Sequence, residues 1–213
     1  MKKIPILTLA ATVLFTACSI ASASDLSKKC DKCHGKNGNS TDSKVASIAG
    51  FSTSVLHDIL HEFKDGDRAA VKYKPKDGKK TDMKEITDKL SDKQINEIAL
   101  HYCNQSFIPR KQPFDEKLAK KGKKLHKRKC EKCHSDGGTK ADDDAAILAG
   151  QGRKYLEEQF HLIHTHDRIV PKKMWHKFKH LKDKQIKELT EYYISEQNGK
   201  PIVNDADTCN PDN

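Results

Sequence analysis

The pattern C-x-x-C-H stands twice in this chain, in "CDKCHGKNG" from Cys30 to Gly38 and in "CEKCHSDGG" from Cys130 to Gly138. The two lie one hundred residues apart, and sliding the sequence by that offset aligns more than the pattern itself. Ala49 and Gly50 fall on Ala149 and Gly150, Leu56 on Leu156, His61 on His161, and Asp67 with Arg68 on Asp167 with Arg168. Beyond that point the offset drops to ninety-one, where Met83 meets Met174 and "LSDKQINEIALHY" from Leu90 meets "LKDKQIKELTEYY" from Leu181. The nine extra residues of the first copy lie in the lysine-rich "VKYKPKDGKKTD" before Met83. Matches that keep one order along the chain mean two copies of one domain.

Within each copy the apolar residues repeat at helical spacing. Ile95, Ile98, Ala99 and Tyr102 recur at i, i+3, i+4 and i+7, as do Ile186, Leu189, Thr190 and Tyr193, and predict an amphipathic closing helix. Ser91 and Gln94 form a capping-box pattern ahead of the first, whereas the second has Lys182 there and is left to rely on Asp183. Leu118, Gly122 and Leu125 share one face of a helix leading into the second C-x-x-C-H, and the short "SDLSKK" before Cys30 predicts a shorter counterpart. A middle helix is expected near Val55 to Phe63 and near Tyr155 to Ile163. No segment shows strand alternation, so the class is all-α. Two tandem domains at 24–104 and 114–199 are joined by a two-proline linker at 105–113 and followed by a tail at 200–213.

The opening "MKKIPILTLAATVLFTACSIASASD" places Lys2 and Lys3 before a short apolar run that ends in small residues. That is the layout of a secretory signal peptide, here residues 1–23. Cleavage after Ala21-Ser22-Ala23 would release a periplasmic chain from Ser24, while use of Cys18 as a lipid acceptor would leave it tethered. No later run reaches the apolar length of a membrane helix, so no transmembrane segment is expected. Apolar residues make up 35% and aromatics 6%, which is lean for two cores of this size. The formal charge of +10 points either to an anionic partner surface or to a lysine-rich solvated face. Export and the lack of aromatic interleaving argue against nucleic acid.

C-x-x-C-H is the attachment pattern of c-type haem. Two intervening residues on a helical turn separate the thiols so that each adds across one haem vinyl group, and the next residue, histidine, falls under the iron as its proximal ligand. Paired C-x-x-C motifs also build four-cysteine zinc sites, but that reading leaves the adjacent histidines and their repetition without a purpose. Thioredoxin-like redox chemistry needs a βαβ context that this chain lacks. The pattern predicts two covalently bound haem c groups, the first on Cys30, Cys33 and His34 and the second on Cys130, Cys133 and His134. Two such groups would also fill the lean cores.

Haem iron needs a sixth ligand. After the initiator there are two methionines, Met83 and Met174, one per copy and each seven residues before the leucine that opens the closing helix. Thioether ligation favours ferrous iron and raises the potential, which suits electron transfer. Gap filling in a core is the other use of such a residue. For the second haem, His164, His166, His176 and His180 also lie within range of a bis-histidine set.

With these motifs placed, the sequence resembles the dihaem class I cytochromes c and, within them, the cytochrome subunit of flavocytochrome c sulfide dehydrogenase. The wider resemblance rests on the paired C-x-x-C-H with downstream methionine. The narrower one rests on "KQPFDEKLAKKGKKLHKRKCEKCHSDGG", "DDDAAILAGQGRKYL" and "PKKMWHKFKHL". It implies tandem class I cytochrome c domains with iron ligands His34, Met83, His134 and Met174. It further implies an electron-transfer subunit without catalytic residues of its own, partnered with a flavoprotein (FAD) subunit and feeding a soluble or membrane acceptor. This chain itself has no G-x-G-x-x-G for a dinucleotide. Many relatives carry a proline before the turn at Ala49-Gly50, where Ala46 and Ala146 stand here. That bears on loop stiffness, because the backbone carbonyl that receives the proximal histidine's N–H is available from any residue. The same ligands suit a free-standing dihaem carrier feeding a terminal oxidase. An enzyme such as a dihaem thiosulfate dehydrogenase or peroxidase would need an open or unusual sixth position.

Outside the leader and the two patterns, Cys103 and Cys209 remain. Export permits a disulfide that would staple the tail onto the first domain, and two free or differently paired thiols are the other arrangement. Between Lys117 and Lys132 stand nine basic residues against one acid, Glu131. This run reads as a docking surface for an acidic partner or as a solvated helix face.

Overall fold

The computed structural model describes residues 23–141 and 145–210, so Cys18 and nearly all of the expected leader lie outside the described residues. The first copy is built from α1 (Ala23–His34), α2 (Thr53–Asp65), α3 (Met83–Thr87) and α4 (Asp92–Cys103). The second repeats it as α5 (Glu116–Lys129), the helical turn α6 (Ser135–Gly138), α7 (Arg153–His164), α8 (Lys172–Phe178) and α9 (Asp183–Ser195). Among the described residues there are isolated β-bridges but no strands, and the all-α class holds. None of these helices is long and apolar enough to cross a membrane.

Local chemistry sets the helix ends. Ser52 Oγ caps α2 by accepting from Val55 N, and Gly66 closes it in the left-handed region at φ 84°. Ser91 and Gln94 make the full capping box at the start of α4. At α9 the outcome differs from expectation. Lysine offers no acceptor, and Asp183 already lies inside the first turn, 98% exposed, with Oδ1 3.7 Å from His164 Nδ1. Gln185 Oε1 instead accepts the Lys182 backbone N–H at 3.1 Å, so half of the box survives. The inserted "VKYKPKDGKKTD" closes on itself through paired backbone bonds between Tyr73 and Thr81 and is pinned by Tyr73 Oη donating to Asp42 Oδ2 at 2.8 Å.

Each copy has its own apolar cluster. Phe51, Leu56 and Leu60 meet Ile95, Ile98 and Ala99 in the first; Leu125, Leu156 and Phe160 meet Leu189 and Tyr193 in the second. Burying one such side chain contributes about 1.5–3 kcal/mol. The two copies are fastened along a seam. Gln151 is fully buried, accepts from Ser47 N at 2.9 Å and donates to Ser47 O at 2.8 Å. Tyr155 N donates to Ser43 O at 2.7 Å, and Ala141 and Ile147 pack into the first cluster. The linker is bonded on both sides, Phe107 exchanging backbone bonds with Ile202 and Arg110 N donating to Gly150 O. Cys103 and Cys209 form a disulfide, and Asn204 Nδ2 donates to Gly50 O, so the tail lies against the first copy.

Candidate functional site

The last turn of α1 carries Cys30, Cys33 and His34. The ring of His34 is turned by a hydrogen bond from Nδ1 to the carbonyl oxygen of Ala46 at 2.9 Å. That residue stands where many relatives of the resemblance have proline, and the carbonyl serves without it. Burial holds the His34 pKa below its usual value, partly opposed by this bond and by Asp31. Asp31, between the two cysteines, organises the surroundings. Its carboxylate accepts from Asn37 N and Gly38 N, each at 3.1 Å, and from Tyr102 Oη of α4 at 2.8 Å. The same hydroxyl lies 3.0 Å from Ser27 O. Burial pushes the Cys30 thiol up to about 11, with the Tyr102 hydroxyl drawing it partly back.

Gly38 shows why the turn after the pattern needs glycine. Its φ is +75°, and a Cβ there would fall 2.7 Å from the Tyr102 ring and 2.9 Å from Ala49 N. Its carbonyl receives Ile48 N and Ala49 N, and the second copy repeats this with Gly138, Leu148 and Ala149.

In the second copy the helix stops earlier. α5 ends at Lys129 with Cys130 as its C-cap, and Cys133 and His134 continue as a turn whose N–H groups both donate to Cys130 O at 3.0 Å. Tyr193, the counterpart of Tyr102, is 2.9 Å from His126 Nδ1 instead of bonding the acid directly. The other ring nitrogen of His126 lies 2.6 Å from Glu131 Oε2, the counterpart of Asp31. His126 is 1% exposed, and burial lowers its pKa while Glu131 opposes the shift. Burial also raises Cys130.

Met83 opens α3 half-buried at the edge of the first cluster, where Cys30 also packs; Met174 in α8 and Cys130 share the edge of the second. Of the histidines considered for a bis-histidine set, His164 faces Asp183, His166 packs its ring 4.6 Å from Trp175, and His176 and His180 are exposed. The four pattern cysteines lie in no disulfide, and Cys133 is the exposed one. Among the described residues no three of His, Cys, Asp and Glu are grouped so as to hold a metal ion. The lysines of α5 from Lys117 to Lys127 are solvent-exposed, and Lys129 is half-buried. Sequence reasoning missed the roles of Asp31, Glu131 and His126. An acid directly after the first cysteine in both copies was the available signal.

Comparison with known proteins agrees with this layout. Residues 117–192 match the family model of cytochrome c oxidase, cbb3-type, subunit III. Cytochrome c4 of Pseudomonas aeruginosa is 28% identical over 162 residues, spanning 72% of this chain and 76% of that protein. The crystal structure of reduced recombinant cytochrome c4 from Pseudomonas stutzeri superposes with a TM-score of 0.65 at 26% identity, covering 82% of this chain and 98% of the other. This chain is similar to cytochrome c4 and shares its fold. A thiosulfate dehydrogenase from Marichromatium purpuratum shares the fold at TM-score 0.61 and 21% identity, this chain matching 36% of its length.

The chain has a donor set that fits haem c. Each copy offers two thiols two residues apart, an adjacent histidine, and a thioether at the edge of the same apolar cluster. In the first copy the carbonyl of Ala46 fixes the histidine so that the far ring nitrogen is the one left for a metal.

Proposed function

We propose that this protein is a periplasmic electron carrier that holds two haem c groups by thioether bonds, one through Cys30 and Cys33 and one through Cys130 and Cys133. His34 and Met83 would hold the first iron, and His134 and Met174 the second. The bound haems provide one-electron redox chemistry. The chain's own part is to orient and shield. Ala46 O holds His34 in one tautomer; Tyr102 and Tyr193 close the site beside the first cysteine of each pattern; the apolar clusters keep water from the thioether side. A methionine for each iron would fill the position a substrate needs, which favours a carrier over an enzyme.

The observation that carries this reading is the pairing, in each copy, of a complete Cys-Cys-His pattern with a methionine on the same cluster, in two copies bonded along one seam. A free-standing carrier is favoured over a dehydrogenase subunit because the fold spans nearly the whole of a cytochrome c4. The flavoprotein sulfide dehydrogenase reading rests on the sequence resemblance.

Native mass spectrometry of the protein from its own periplasm decides between them. A lone chain with two haems is the expected result. A complex with a flavin-bearing chain would replace the carrier by the dehydrogenase subunit and make sulfide the first donor to test. A mature chain without covalent haem would overturn both.

A further inference from the structure

The leading helices of the two copies carry very different charge. α1 has three lysines against two aspartates, and Lys28 pairs with Asp25 at 3.2 Å. α5 has eight lysines and arginines against one glutamate. Lys117, Lys120, Lys121, Lys124 and Arg128 fall at i, i+3, i+4, i+7 and i+11, an exposed stripe opposite the buried Ala119, Gly122 and His126. Among the described residues none of these five side chains joins an ion pair. The neighbouring acids are engaged elsewhere. Asp115 caps the helix by accepting from Lys117 N and Leu118 N, Glu131 lies 2.6 Å from His126, and Glu191 is held by Arg153.

Like charges at i and i+4 destabilise a helix, and the stripe holds them at Lys117 with Lys121, Lys120 with Lys124, and Lys124 with Arg128. Lysines in the first turns also oppose the helix dipole, which favours cations only at the far end. The fold does not require this arrangement, since α1 fills the same place in its own copy with nearly balanced charge. The pattern at the end of α5 is also the more open of the two: Cys133 is exposed, whereas its counterpart Cys33 is half-buried. No exposed large apolar side chain lies on α5. A helix that lies on a bilayer inserts apolar residues among the headgroups, and here the apolar face is packed against α9. A protein surface rich in aspartate and glutamate therefore fits the stripe better than lipid does.

We propose that the outer face of α5 is the docking surface for an acidic electron-accepting protein, and that electrons leave this chain through its second copy. This rests on the dihaem carrier reading above and deepens it by naming the charge of the partner and the copy that meets it. One electron passes from the reduced chain to the oxidised acceptor, with no atom transferred.

The test uses holoprotein carrying Lys120→Gln, Lys121→Gln, Lys124→Gln and Arg128→Gln together. Its control loses the same charge from the inserted segment of the first copy, through Lys74→Gln, Lys76→Gln, Lys79→Gln and Lys80→Gln. All eight side chains are exposed, so both proteins should fold. Haem stoichiometry by the pyridine haemochrome assay comes first: two haems in wild type uphold the dihaem reading, and fewer would remove that reading independently of the docking surface. Reduced holoprotein is then oxidised by detergent-solubilised membranes and, separately, by the soluble periplasmic fraction of its own cells. In the fraction that turns over, the α5 variant should raise KM roughly tenfold at low salt with kcat kept, while the control stays near wild type. High salt should erase the difference. Carbodiimide, which joins lysines to carboxylates, should link the wild-type acceptor to α5 and leave the inserted segment unlinked. Equal KM values in all three proteins, an equal rise in the control, or links confined to other surfaces overturn the proposal. A wild type that neither fraction oxidises removes the carrier reading and the docking surface with it. Binding of wild type, but not of the α5 variant, to protein-free phosphatidylglycerol vesicles, with equal KM values in both fractions, would assign the stripe to lipid and overturn the protein partner.

Discussion

The first and second domains solve one problem, clamping the leading helix onto the closing helix beside the cysteines, with different parts. In the first, α1 ends on the pattern itself, Tyr102 bonds Asp31 directly, and the disulfide from Cys103 draws the tail across α4. In the second, the longer α5 packs along α9 so closely that a Cβ on Gly122 would fall 1.9 Å from Glu188 O. Tyr193 there reaches Glu131 only through His126, which occupies the place of Leu26 in the repeat. Arg153 adds two bonds to Glu191, at 2.6 and 3.0 Å, and one to Pro113 O. A short helix with a covalent staple and a long helix with a close crossing are thus equivalent supports for the same site.

The comparison can be broken from either side. The largest effect is expected from removing the disulfide. Its cysteines are 106 residues apart, and losing a cross-link over such a loop costs about 5 kcal/mol in the chain-entropy account. Chemical denaturation of the Cys103→Ser, Cys209→Ser double variant should show the first domain melting earlier, with the second domain's transition moved much less. Equal shifts in both would mean that the seam, rather than the staple, holds the first domain. Next comes Gly122→Ala, which forces α5 and α9 apart and should cost about 3 kcal/mol, confined to the second domain. Hydrogen exchange read separately on α1 and α5 would expose a shared loss and so refute that confinement.

The smallest effect sharpens the contrast through pH. Burial pushes the Glu191 carboxyl up, but the Arg153 guanidinium and the Asp115 N–H outweigh it, leaving its pKa below the ordinary glutamate value. A carboxylate with a depressed folded pKa stabilises fully above its unfolded value, about 4.3, and loses that contribution as pH falls through the folded one. Glu191→Gln should therefore cost about 2 kcal/mol at pH 7, and its stability should converge with wild type in acid. A pH-independent difference between the two would show that packing, not charge, ties α9 to the second domain.

Much of this was legible along the chain. The repeat, the helical class, the capping box at Ser91 and the methionine in each copy are properties of spacing, and spacing survives folding because helices keep neighbours three and four residues apart in contact. Asp183 escaped that logic, since a cap depends on which side of the first turn a carboxylate stands. The disulfide was open in the sequence because nothing local relates Cys103 to Cys209; the Phe107 to Ile202 pairing brings them together.

What the sequence determined by itself was therefore the number of units, their helices and the donor atoms each could offer. What only the tertiary structure decided was how the copies face one another: Gln151 against Ser47, Arg68 beside Arg168, His126 inserted between Tyr193 and Glu131. Those contacts join residues far apart in the chain, and their energies depend on burial and angle, which no periodicity encodes.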